Sequence, residues 1–315
     1  MNYKLSRRRF GQLAIAGTVA SGISYLANKA SAQTSSVNIN IIGVSSGPII
    51  SDETASPEVN TTELDSTAPD NLPTASIPVG LVVQSLNTGT NNLQTLPISG
   101  LTKALLETNE ALTGLTSLKD GTLVVAITPV SASKKEATPT RITLLSTPIK
   151  TLLISGLKKN EQLSSVLGTN DGRLIGLVGK KNGTPPIKLV AIDLQTGEIS
   201  LIDKFKLPQN ERVSSLAECP DGKLYTVLLG ADGDTTLVQL DPERKKPVIL
   251  AQLKINGEAW NNGLESLLCS ATGQLIAFGA MRYTSPNASY IVDRDSGNMT
   301  RIQNFDATKI TLAPT

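Results

Sequence analysis

The chain has 315 residues, of which 18% are charged and only 3% aromatic, and its 29 basic and 27 acidic side chains give a formal net charge of +2. Histidine is absent, which excludes Ser-His-Asp and Cys-His catalysis and His-ligated zinc, copper or haem. Two cysteines, Cys219 and Cys269, cannot build a disulfide framework.

The chain opens on an address. Ser6-Arg7-Arg8-Arg9-Phe10 follows the twin-arginine export pattern, a mildly apolar stretch rich in small residues runs from Leu13 to Ala27, and Ala30-Ser31-Ala32 forms a small-x-small cleavage site. Residues 1–32 are therefore expected to be a signal peptide cut after Ala32, the alternative being an uncut membrane anchor. The route implies a periplasm, a cell exterior or a thylakoid lumen. Lys4, Arg7, Arg8, Arg9 and Lys29 all lie in this segment, which leaves 24 basic and 27 acidic side chains beyond it. The apparent basicity belongs to the signal, so nucleic-acid binding has no electrostatic support. No later apolar run reaches 18 residues, and no mature membrane span is expected.

Residues 33–50 hold a strand-like segment, Val37 to Val44. Residues 51–76 carry six acids and no Lys or Arg among many Pro, Ser and Thr, and read as a disordered acidic insert. From residue 77 to 315 a unit of about fifty residues recurs. Asp120-Gly121, Asp171-Gly172, Asp221-Gly222 and Thr272-Gly273 lie 51, 50 and 51 residues apart. Between them, short Val/Leu/Ile runs alternate with Asp-Gly and Thr-Gly turns, in which glycine tolerates positive φ. Four strands per fifty residues is the signature of a β-propeller. Four units are complete. The C-terminal stretch from Asp306 to Thr315 aligns with a lone first strand, Gly80 to Ile98 with third and fourth strands, and residues 37–44 can supply the second. The expectation is an all-β propeller of five four-stranded blades, closed by pairing of the N- and C-terminal strands. Four or six blades, or an open sandwich, are the rival counts.

The stretch from Asp193 to Val227, with Asp193-x-x-Thr196-Gly197 followed by Pro220-Asp221-Gly222-Lys223-x-Tyr225, resembles the secreted β-propellers of the YVTN and YncE-like type. Elsewhere Asp241-Pro242-Glu243 and Asp293-Arg294-Asp295-Ser296-Gly297 replace the first half of that pattern. The resemblance implies the architecture and no particular activity.

Asn109-Glu110, Asn160-Glu161, Asn210-Glu211, Asn261-Asn262 and Asp306-Ala307 stand just before the first strands, where a propeller turns toward its axis. They are expected to form a polar collar around the channel mouth. Such a collar can hold a hydrated divalent cation such as calcium, grip sugar hydroxyls, present paired carboxylates for glycoside hydrolysis, or support a divalent-cation-dependent lactonase. Asn and Asp are also ordinary turn formers. Trp260, the single tryptophan, can stack on a ligand or cap the core between blades. Asp232-Gly233-Asp234 reads as a polar turn, Lys134-Lys135 and Lys180-Lys181 as solvated loops, and Met281-Arg282-Tyr283 as a loop that binds or packs. The cysteines differ by one position after alignment and are expected to be buried free thiols. The functional expectation is an exported module binding a carbohydrate or a protein, with a carboxylate hydrolase as the alternative.

Overall fold

A computed structural model describes residues 38–48, 79–96, 106–107, 110–130, 140–180, 183–208, 210–241, 246–281 and 286–314. The expected signal peptide (1–32), the acidic insert (51–76), Lys134-Lys135, Lys181, Arg282 and Tyr283 lie outside the described residues. No α-helix occurs among the described residues.

Strands β1 (Asn40–Pro48), β2 (Val79–Asn87) and β3 (Asn92–Thr95) come first. The first unbroken blade is β4 (Glu110–Ser117), β5 (Leu123–Pro129), β6 (Arg141–Leu145) and β7 (Lys150–Leu153). The second is β8 (Glu161–Gly168), β9 (Leu174–Lys180), β10 (Thr184–Ile192) and β11 (Ile199–Phe205). The third is β12 (Arg212–Glu218), β13 (Leu224–Leu229), β14 (Thr235–Asp241) and β15 (Lys246–Gln252). A short hairpin, β16 (Lys254–Ile255) and β17 (Glu258–Ala259), precedes the fourth blade, β18 (Ser266–Cys269), β19 (Leu275–Gly279), β20 (Ala288–Val292) and β21 (Met299–Asn304). The last strand is β22 (Lys309–Leu312). It pairs with β1, with Ile42 opposite Thr311, and the sheet order β22-β1-β2-β3 makes a composite fifth blade. The protein is thus a five-bladed propeller closed by strands from both ends of the chain, as the repeat predicts.

The turns explain the regular spacing. Gly121, Gly172, Gly222 and Gly273 have φ of 87°, 88°, 76° and 82°, the left-handed region that a Cβ disfavours. The preceding Asp120 and Asp221 accept hydrogen bonds from the N–H groups of Thr122 (2.9 Å) and Lys223 (3.2 Å). These aspartates are committed to turn formation.

Apolar packing lies between blades. Strands β5 and β9 read as near-continuous Leu/Val/Ile and are buried on both faces, a pattern that requires cover from two sides. Five apolar clusters fill the five gaps between neighbouring blades. The closing gap, for example, joins Ile41, Leu86 and Ile310 to Ile276, Phe278 and Phe305, with the two Phe rings edge-to-face at 6.3 Å.

Cys219 and Cys269 form a disulfide with Cα atoms 5.1 Å apart, which corrects the expectation of free thiols. Cys219 opens its turn at the position that Ser270 holds in the next blade, so the one-residue offset noted in the sequence is real. It places the two side chains on opposite faces of their blades. In a ring, opposite faces of adjacent blades confront each other, so the offset brings the sulfurs together in one interblade cluster. The bridge closes a separation of 50 residues, for which the chain-entropy account gives about 4 kcal/mol. Replacing both cysteines by serine should lower the unfolding free energy by about that amount in urea titrations, and adding reductant to the double variant should change nothing further.

Candidate ligand-binding site

The innermost strands β4, β8, β12, β18 and β22 each leave one edge without a strand partner, facing the axis. Unpaired N–H and C=O groups on such an edge demand other partners, and neighbouring blades supply them. Thr116 Oγ1 accepts from Gly168 N–H (2.8 Å), Thr311 Oγ1 from Ser117 N–H (3.1 Å) and Ser266 Oγ from Ile310 N–H (3.0 Å). Ser215 Oγ donates to the Leu264 carbonyl (3.1 Å), and the Glu218 carboxylate accepts from Asn170 N–H (2.6 Å). Gly114, Ser165, Ser215 and Ser266 stand four residues before the turn-opening residues Leu118, Thr169, Cys219 and Ser270. Small side chains there let the blades close up: a Cβ on Gly114 would lie 2.7 Å from Val166.

Around the axis these strands enclose a cavity of about 290 Å³. Its wall runs from mid-strand to the turns that join first and second strands, with Ser165, Ser215, Ser266 and Thr311 in the lining. Lys119, Asn170, Pro220, Ala271 and Pro314 are the exposed residues at that end. Lys119 has no ion-pair partner among the described residues. The expected collar lies at the other end of these strands, and the sequence signal for this cavity is the serine that recurs four residues before three of the turns, Ser165, Ser215 and Ser266.

The expected collar residues stand at the opposite strand ends and do not line the cavity. Glu110 receives two bonds from the Arg141 guanidinium (2.9 and 2.6 Å) and one from Glu107 N–H (2.9 Å). Glu161 is paired with the Lys188 ammonium and accepts from Lys158 N–H (3.0 Å). Burial pushes both carboxyls up, but these hydrogen bonds and the nearby positive charges hold both below the usual carboxylate range. Glu211 differs: burial pushes its carboxyl up with nothing opposing, and its Oε2 is buried without a hydrogen-bond partner.

Asn160 sits at φ 66° in a turn, and its side chain is exposed. Asn210 is exposed and lines an open depression with Thr184, Arg212 and Asp232. Asn262 caps its own blade, donating to the Ala280 carbonyl (2.9 Å), while Asn261 and Asp306 are exposed. Asn109 lies outside the described residues. Trp260 is wholly buried, edge-to-face with Tyr290 at 5.3 Å, and takes the core-capping role of the two considered. In the Asp232-Gly233-Asp234 turn, Gly230 N–H bonds the Asp234 carbonyl (2.9 Å). Among the described residues no three His, Cys, Asp or Glu side chains cluster closely enough to hold a metal ion.

No protein-family model matches the chain, and no curated protein matches its sequence. Solved structures resemble its fold. A protein of unknown function from Dyadobacter fermentans is 12% identical, with a TM-score of 0.51 over 78% of this chain and 76% of that one. A protein from Lactobacillus plantarum is 13% identical, with a TM-score of 0.43 over 85% and 82%. Virginiamycin B lyase from Staphylococcus aureus is 13% identical, with a TM-score of 0.37 over 71% and 66%. At these identities the likeness is one of fold.

Two equivalent glutamates should respond oppositely to the same substitution. Glu110 has a depressed pKa in the fold, so its contribution is complete above its unfolded value and fades as pH falls through the folded one. Glu110→Gln should therefore cost about 2 kcal/mol at pH 7, because it removes the carboxylate charge from a partly buried ion pair with Arg141, and the deficit should vanish in acid. Glu211 has a raised pKa, so its contribution is complete below the unfolded value and is lost as pH rises through the folded one. Glu211→Gln should raise the melting midpoint at pH 7 and leave it unchanged near pH 3. Thermal melts of both variants across pH check the pair of signs.

Proposed function

We propose that the protein is an exported binding module that holds a small hydroxyl-rich ligand, of the carbohydrate class, in the central cavity. The observation that carries this reading is the cavity itself: about 290 Å³, with serine and threonine side chains from several blades set among the apolar residues of its wall, at the lower end of small-molecule sites. Hydroxyls donate and accept at once, so such a wall matches a ligand that also does both. The lone Lys119 ammonium and the Glu218 carboxylate add one charge of each sign near the opening, which suits a polar, overall neutral guest.

Export rests on Ser6-Arg7-Arg8-Arg9-Phe10 and places the protein in a periplasm, an extracellular space or a thylakoid lumen. The Cys219–Cys269 disulfide supports an oxidising compartment. Carboxylate-based hydrolysis at the collar is the less favoured reading, because Glu110 and Glu161 already direct their oxygens at Arg141 and Lys188.

A thermal-shift screen with a panel of mono- and disaccharides, calcium and EDTA tests the proposal. A sugar should raise the melting midpoint saturably. Ala271→Trp, which places a large ring on the exposed rim of the cavity, should abolish the shift, whereas Glu110→Gln and Glu161→Gln should retain it. A shift lost in the glutamate variants and kept in Ala271→Trp would move the site to the collar, and turnover of the sugar would replace binding by catalysis.

A further inference from the structure

The repeat compares Glu211 with two built-in references. In the first three unbroken blades a glutamate stands two residues before a buried first-strand residue: Glu110 before Leu112, Glu161 before Leu163, Glu211 before Val213. Each closes the same turn, donating its own N–H to the carbonyl three residues back: Glu107 (3.0 Å), Lys158 (2.9 Å) and Pro208 (3.2 Å). The strand register is the same too. Leu112 faces Ile127, which faces Arg141; Leu163 faces Val178, which faces Lys188; Val213 faces Leu228, which faces Thr236.

In the first two blades the carboxylate therefore has two partners, the basic side chain on the third strand and the backbone N–H three residues earlier. The third blade lacks both. Thr236 stands where Arg141 and Lys188 stand, and Pro208 has no N–H to offer. The backbone cradle persists while both groups that meet the carboxylate in the first two blades are gone. Among the described residues only two buried side-chain polar atoms have no partner, Glu211 Oε2 and Ser214 Oγ, three residues apart at the start of one strand. A buried carboxylate oxygen without a partner is costly, and the first two blades show what relieves that cost here, a cation delivered at the third-strand position. Glu211 keeps partial exposure, and Asn210 and Arg212 on either side of it line a depression open to solvent, so a cation can arrive from outside.

We propose that Glu211 is the receptor for an external organic cation, a primary ammonium or guanidinium, which takes the place that Arg141 and Lys188 fill internally in the first two blades. The cation comes either from a free amine or from a lysine or arginine side chain of a protein partner. This site is independent of whatever occupies the central cavity.

The test measures melting midpoints of the full chain at pH 7 with n-butylammonium chloride or acetyl-Ala-Lys-Ala-amide, each against sodium chloride at equal ionic strength. Either cation should raise the wild-type midpoint saturably, and the rise should disappear in Glu211→Gln. Thr236→Lys, which restores the internal cation, should melt higher than wild type without additive and respond to neither probe. A larger response to the peptide assigns the cation to a protein side chain; an equal one assigns it to a free amine. Ala271→Trp should respond like wild type, which separates this site from the cavity. No wild-type rise beyond sodium chloride, or a rise that persists in Glu211→Gln, overturns the proposal even if Thr236→Lys fails to fold.

Discussion

Everything in this fold depends on sheets that are apolar on both faces. The central strands β5 and β9 bury nearly every side chain, and a four-stranded sheet alone can hide neither face. Each blade must be covered front and back by another blade, and a row of such blades has exposed ends until it curls into a ring. The closing blade exists for this reason: β22 binds β1 so that both faces of the final gap are filled. At roughly 25 cal/mol per Å² of apolar area buried, losing one such gap would remove a large share of a stability that is marginal in any domain.

Curling the blades creates a second constraint at the axis. Five inner strands present free edges in a space too narrow for another strand. Serine and threonine hydroxyls bridge from blade to blade and satisfy the edge groups, which fixes the ring's radius through hydrogen bonds of 2.8–3.1 Å. The side chains that solve this structural problem also give the cavity its chemistry. That polarity follows from the architecture, and Lys119, Asn170 and Ala271 stand exposed at its rim.

How much of this the sequence revealed follows from which interactions are periodic. The turns are periodic because each needs a glycine at positive φ, so the strand count and the closing arrangement could be read from residue types alone. The turn role of Asp120 and Asp221 and the core position of Trp260 followed the same local chemistry. The disulfide was missed because alignment compares positions within blades, whereas Cys219 and Cys269 meet across a gap between blades. The partners of Glu110 and Glu161 were missed because Arg141 and Lys188 come about thirty residues later, on third strands whose register the turns alone do not give. With that register in hand, Pro208 and Thr236 are conspicuous in the bare sequence, as departures in one of the three units that carry the glutamate.

The central claim, that the two chain ends close the ring, is tested most directly by amide hydrogen exchange on the full chain and on a chain ending at Asp306. The account predicts that loss of β22 removes protection at residues 41–44, and also within the two gaps that flank the closing blade, with a lower and broader unfolding transition. Native protection at residues 41–44 in the shortened chain, with an unchanged midpoint, would contradict it.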